Sequence, residues 1–166
     1  MASKENLDRT YIRMALELSK LSRATRKKVG CLIVKDTHII AEGYNGTPKG
    51  FENRCEDEIY HPGNYTASSG CSGWVEKKTK PEVIHAEMNA IAKLCRSTQS
   101  SDDSIMYLTL SPCYQCCKLI IQCGIKKVIY LEKYRDTSGL ELLSQAGVTH
   151  YQLPPEIPES SGLVAS

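Results

Sequence analysis

The stretch that decides the fold runs from His85 to Leu131 and reads HAEMNAIAKLCRSTQSSDDSIMYLTLSPCYQCCKLIIQCGIKKVIYL. Met88, Ile91 and Leu94/Cys95 recur on one side, which predicts a helix over about 85–96. A polar connection follows over 97–104. The apolar run 105–110 predicts a strand. Ser111-Pro112 opens a second helix, since proline is favoured in a first helical turn. Gly124 ends it as a C′ residue. The run 128–131 predicts another strand. Helices alternating with strands argue for a sheet covered by helices on both faces.

Working outward, 139–146 predicts a short helix closed by Gly147, and 148–153 a last strand. The tail over 154–166 is expected to be mobile. Upstream, Leu7, Tyr11, Met14, Leu18 and Leu21 fall at steps of four and three, one face of a helix over about 8–22. A basic stretch, 23–28, leads into a buried strand at 29–34. A turn at 35–37 returns the chain as a hairpin strand over 38–42. Turn residues crowd 43–50. The segment 51–81 shows no clear period, and a loop this long in a small domain is functional or partly disordered. The expected order is α-β-β-α-β-α-β-α-β in one domain, 1–153, with no internal repeat.

The chain has 166 residues, 41% apolar and 24% charged, ordinary globular usage. Lys and Arg number 21 against 19 acids, a net +2. That balance disfavours a protein that grips a phosphate backbone non-specifically. No apolar run approaches the roughly 18 residues of a membrane span, and 1–6 lack the apolar core of a secretory signal. A soluble cytoplasmic domain is expected. Eight cysteines, at 31, 55, 71, 95, 113, 116, 117 and 123, are the unusual count. Without a secretory signal they read as metal ligands or buried thiols rather than disulfides.

The chemistry lies in two motifs. His85-Ala86-Glu87 opens one helix; Ser111-Pro112-Cys113-Tyr114-Gln115-Cys116 opens the next. Cys113 and Cys116, three apart, present their sulfurs on one face, in a first turn where free amides and the helix dipole favour thiolate. With His85 they make three ligands of a tetrahedral Zn²⁺, one corner left for water. Glu87 reaches that water without binding the metal. His-x-Glu followed by Pro-Cys-x-x-Cys is the signature of zinc deaminases, in which the ion activates water and the glutamate shuttles its proton. The competing reading is a closed structural site completed by His61 or Cys71. It leaves Glu87 without a role.

His85-Ala86-Glu87-Met88-Asn89-Ala90-Ile91 and the Ser-Pro-Cys-x-x-Cys segment resemble the cytidine/deoxycytidylate deaminase superfamily. The segments 28–34, 43–50 and 124–130 look like its deoxycytidylate (dCMP) deaminase branch, bacteriophage members included. The resemblance covers about 7–153. It implies an α/β fold, a cytidine deaminase-like three-layer α/β/α with a five-stranded mixed sheet. It implies hydrolysis of dCMP to dUMP and ammonia, feeding thymidylate synthesis, in a homohexamer that dCTP activates and dTTP inhibits, each with Mg²⁺. Some phage members carry a second, structural zinc. Here 22–28 has no cysteine, and Cys55 has only His61 and Cys71 beside it, so no second zinc is expected.

By the same resemblance Asn45 is assigned to the nucleotide; the bland alternative is a turn residue tolerating φ > 0. Gly43 and Gly46 let the backbone turn and approach a ligand. The Ala86 amide is placed to meet the pyrimidine carbonyl, beside Ser111 and Pro112. Tyr114 walls the pocket or packs the helix. A 5′-phosphate calls for cations: Arg26 first, from the cluster Arg23, Arg26, Lys27 and Lys28, with Ser22 and Tyr134 assisting. Candidates for an effector site are Tyr44, Gly46, Lys49, Asn89, Lys93 and Arg96; Lys93 and Arg96 equally suit the C-terminal helix dipole. Lys77, Lys78 and Lys80 read as an exposed charge run. Cys31, Cys95, Cys117 and Cys123 read as buried thiols. Trp74 and Phe51 stack on a base or anchor their loop. Competing functions are a tRNA or single-stranded DNA deaminase, which would need a basic channel with stacking aromatics, a deaminase of free cytidine, cytosine or a pterin-like ring, and a zinc-stapled interaction protein without catalysis.

Overall fold

The computed structural model describes residues 3–63 and 73–154. The elements are α1 (Lys4–Ser19), β1 (Gly30–Lys35), β2 (His38–Tyr44), β3 (Glu56–His61), β4 (Trp74–Thr79), α2 (Ala86–Leu94), β5 (Ile105–Leu110), α3 (Tyr114–Gln122), β6 (Lys127–Glu132), α4 (Ser138–Gln145) and β7 (Thr149–Gln152). Five strands form one sheet in the order β2-β1-β5-β6-β7. β1 pairs antiparallel with β2 and β5; β5-β6-β7 run parallel. The sheet is therefore mixed, and α1 covers one face while α2, α3 and α4 cover the other.

Strand period explains the two layers. Cys31 and Ile33 of β1, Met106 and Leu108 of β5, and Val128 and Tyr130 of β6 point into the layer holding Ala90, Leu94, Ile120 and Leu143. Leu32, Val34, Tyr107 and Ile129 point the other way, onto Tyr11, Ile12 and Ala15 of α1. Both faces are buried, so these strands are continuous apolar runs.

The first helix departs from its expected span, and only part of its expected face is buried: Tyr11 lies in the core and Leu7 and Leu18 pack against it. Ser3 caps it by accepting from the Asn6 amide, so it starts at Lys4. Its buried residues are Asp8, Tyr11, Ile12, Ala15 and Ser19. Met14 and Leu21 are 41% and 58% exposed. The cause is close approach: a Cβ at Gly30 would lie 1.9 Å from the Ala15 carbonyl oxygen, so the helix turns its small residues to β1.

Asp8 ties this layer together. The buried Tyr107 hydroxyl donates to its carboxylate at 2.6 Å and Tyr151 at 2.7 Å. Burial and then the Asp8 carboxylate push both phenols up. Asp8→Ala strands two hydroxyls, one of them only partly buried, at about 1–3 kcal/mol for a buried donor. A lower urea midpoint with unchanged slope is the expected result; an unchanged midpoint would contradict it.

The segment expected to lack structure holds a separate two-stranded sheet, β3 against β4. Besides the antiparallel backbone ladder, its strands set opposite charges across from each other and show no hydrophobic alternation. Glu58 sits opposite Lys77 and Asp57 opposite Lys78, with Lys77–Glu58 and Lys80–Asp57 contacts at 3.7 Å. Trp74 stacks on His61, centroids 4.2 Å apart. Phe51 is exposed. Cys71 and all but the first residue of the expected tail 154–166 lie outside the described residues. Among the described residues, no helix is long and apolar enough to cross a membrane.

Candidate active site

Two helix N-termini meet at one end of the sheet. His85 is the N-cap of α2 and Cys113 the N-cap of α3, with Cys116 three residues on. Proline was expected to open α3 itself; instead Pro112 precedes the cap. A Cβ at Gly43 of β2 would lie 2.3 Å from the Ala86 carbonyl oxygen. That glycine lets the first turn of α2 press onto the sheet; its close approach is to this helix.

His85 Nδ1 lies 3.5 Å from Cys113 Sγ and 3.5 Å from Cys116 Sγ. The three donor atoms lie within 4.8 Å of one another. Tetrahedral bonds of about 2.3 Å to sulfur and about 2.0 Å to nitrogen require S···N separations of about 3.5 Å. The donor set therefore fits a zinc ion in both chemistry and spacing. Cys113 is pushed down to about 3, chiefly by hydrogen bonding with Cys116 and then with His85. Cys116 is pushed up, first by that same bond and then by burial. The Cys113 sulfur raises His85 in turn. Cys117 is raised to about 12 by burial and by Glu87, which leaves it a neutral thiol against the Pro112 carbonyl.

Glu87 is 4% exposed and, among the described residues, stands outside the converging donor group. Burial lifts its carboxyl above the ordinary range, against the pull of its own backbone amide and of His85. It lines a cavity of about 270 Å³ with His85, Ala86, Ser111 and Cys113. A buried carboxyl titrating nearer neutrality is suited to both taking and giving a proton.

The same cavity is lined by Arg26, Lys27, Asn45, Glu56, Thr79 and Tyr134. Arg26 Nη1 donates to Thr79 Oγ1 at 3.1 Å. Lys27 pairs with Glu132. Asn45 has no positive φ; its amide accepts from the Val29 N–H and donates to the Lys27 carbonyl, both at 2.9 Å. It fastens the basic loop while facing the cavity. Ser111 Oγ accepts from the Tyr134 amide at 2.8 Å.

Three candidates do not line the cavity. Ser22 lies outside the lining: its buried hydroxyl donates to the Asn45 carbonyl and accepts from the Ala24 amide. Pro112 is buried beneath the site rather than lining it. Tyr114 neither walls the cavity nor packs into the core. It is 44% exposed, with Lys118 Nζ 5.9 Å from its ring centroid. At helix position N1 its side chain points away from the face shared by Cys113 and Cys116. Cys95 is exposed, at the C-cap of α2; Cys123 is only partly buried.

None of the effector candidates lines the cavity. Asn89 Nδ2 donates to the Tyr44 carbonyl at 2.8 Å, and Lys93 bonds Glu42 at 2.8 Å beside the Tyr44 ring. Gly46 bridges to Ile84. Lys49 and Arg96 are exposed. Lining residues absent from the expected site are the apolar Val29 and Leu110 and, brought in by the base of the β3–β4 hairpin, Cys55, Glu56 and Thr79. The signal available for the hairpin was the pairing of acidic 56–58 with lysines 77, 78 and 80.

A family model described as the cytidine and deoxycytidylate deaminase zinc-binding region matches residues 5–132. The chain is 39% identical over 137 residues to ComE operon protein 2 of Bacillus subtilis, covering 82% of this chain and 65% of that protein. It is 31% identical to the deoxycytidylate deaminase of Enterobacteria phage T4, covering 87% of this chain and 89% of the phage enzyme. Among solved structures, the dCMP deaminase of cyanophage S-TIM5, in complex with dCMP and dUMP, superposes with a TM-score of 0.76 at 37% identity. That match covers 92% of this chain and 100% of the other.

Proposed function

The chain belongs to the cytidine and deoxycytidylate deaminase family, and from that premise we propose that it hydrolyses dCMP to dUMP and ammonia. The observation that carries the reading is the convergence of His85, Cys113 and Cys116 beside a buried, unliganded Glu87 in one cavity. A zinc ion held there supplies Lewis acidity that makes water nucleophilic near neutral pH. Glu87 accepts the water proton and delivers protons to the ring nitrogen and the departing amine. The Ala86 amide, free at the start of α2, meets the pyrimidine carbonyl. Asn45 faces the sugar. Arg26, with Tyr134, takes the 5′-phosphate through charge-assisted hydrogen bonds. The dUMP formed is a precursor for thymidylate synthesis.

Ammonia release from free cytosine, deoxycytidine, dCMP, dCTP and an oligonucleotide tests the substrate. dCMP is expected to react best. Deoxycytidine lacks contacts worth about 1.5–3 kcal/mol, so its kcat/KM should fall roughly 10- to 100-fold. Equal rates, or a preference for the oligonucleotide, would overturn the reading. Arg26→Ala should erase most of the difference.

The proposal extends to regulation in a homohexamer, with dCTP activating and dTTP inhibiting as Mg²⁺ complexes. What supports it is the resemblance to the dCMP deaminase branch. Tyr44, Asn89 and Lys93, joined outside the cavity, are the residues proposed to meet the effector or a neighbouring subunit. Adding either triphosphate at low substrate should change the cooperativity of turnover. No response to either would reject allostery.

A further inference from the structure

The loop between α1 and β1 presents a puzzle. It carries Arg23, Arg26, Lys27 and Lys28 in irregular backbone, where like charges repel and ordering costs conformational entropy. Something must hold its corner in place. The holding groups come from far along the chain. The Glu56 carboxylate accepts from the Thr25 amide at 3.1 and 3.0 Å, from the Arg26 amide at 3.2 Å, and from the Thr25 hydroxyl at 3.2 Å. Thr79 Oγ1 accepts from Arg26 Nη1 at 3.1 Å. Glu56 and Thr79 are register partners at the base of the β3–β4 hairpin, and Lys80 N–H closes that base on the Cys55 carbonyl at 2.9 Å.

Glu56 differs from the two acids that follow it. Asp57 and Glu58 are exposed and face lysines across the hairpin. Glu56 is 7% exposed and turned onto the loop. Both of its oxygens are engaged by the loop amides and a hydroxyl, which fixes the carboxylate on the loop, while Arg26 and Lys27 line the cavity as cations beside it.

We propose that Glu56 and Thr79 are positioning residues for phosphate recognition: the hairpin holds the Thr25–Arg26 corner so that the Arg26 guanidinium meets the 5′-phosphate of a deoxynucleotide monophosphate. This rests on the reading of the cavity as a dCMP site. Neither side chain touches the reacting atoms. The ability to tell a nucleotide from a nucleoside thus depends on an insert outside the five-stranded sheet, which acts through the loop that carries Arg26.

The test compares wild type with E56Q, T79V and T79S on dCMP and deoxycytidine, with inorganic phosphate as a competing probe. Glutamine turns an amide N–H toward the loop amides; valine keeps the shape of threonine and removes the acceptor. In E56Q and T79V the dCMP-to-deoxycytidine ratio of kcat/KM should fall by about tenfold or more. The KM for dCMP should carry the loss, inhibition by phosphate should weaken, and T79S should restore both. A ratio unchanged in both variants, or a loss shared equally by the two substrates, would overturn the proposal. If E56Q does not fold, T79V and T79S decide it. A wild-type enzyme without preference for dCMP would overturn the phosphate reading itself. A wild-type preference that survives the substitutions would overturn only the role of the hairpin.

Discussion

Glu87→Gln should leave the metal bound and cut kcat by about 10²–10⁴-fold. Glutamine keeps the size and planarity of glutamate, and Glu87 stands outside the three converging donors. The cradle for the ion should survive. What is lost is the proton: an amide neither takes one from water nor hands one to the pyrimidine ring. Burial matters here, because Glu87 sits where its carboxyl is lifted toward the working pH, and bulk water is a poor substitute in so enclosed a place. Ammonia release and zinc content, measured on the same sample, check this. Turnover near wild type would remove the proton-shuttle role; loss of zinc would mean the acid belongs to the coordination shell.

Cys113→Ser should cost both metal and stability. Cys113 is the N-cap of α3, and serine is among the best N-cap residues. The substitution therefore preserves or improves the local helix start, and any loss of stability comes from the ion. Metal at about 1,000 times its dissociation constant contributes about 4 kcal/mol to the folded state. For a domain of about 150–250 residues each kcal/mol moves Tm by roughly 2–4 °C, so a drop of about 8–16 °C is expected. Chelator should bring wild type down to the Tm of the variant and leave the variant unmoved. A variant that keeps its zinc and its Tm would contradict the assignment of this sulfur.

Much of the sheet was legible in the residues. The strand over 105–110 matches β5 because an apolar run bounded by polar residues admits few other readings. The helix ends at Gly124 and Gly147 show as well, both glycines taking positive φ. The motifs at 85–87 and 113–116 were legible because zinc chemistry constrains residue type and spacing together. The failures have physical causes. The face of α1 was legible at Leu7, Tyr11 and Leu18 but not at Ala15 and Ser19, which are buried because Gly30, one element away, lets the backbones meet there. The β3–β4 hairpin was missed because its strands pair by charge and never alternate apolar with polar. Ser22, Pro112 and Tyr114, candidates for the substrate, do not line the cavity. Their directions depend on loop and cap geometry that spacing does not encode. Glu56 was invisible for a related reason: one acid in a run of three differs from its neighbours only once the hairpin folds it onto a loop thirty residues earlier.

Catalysis at this site depends on the coordination of a single ion, and zinc K-edge absorption of the purified chain reads that directly. It should report one zinc per chain with two sulfur neighbours at about 2.3 Å, one imidazole nitrogen, and one further light atom contributed by solvent. A third sulfur, a second imidazole, or a carboxylate that disappears from the spectrum in Glu87→Gln would show a closed site and contradict the catalytic reading.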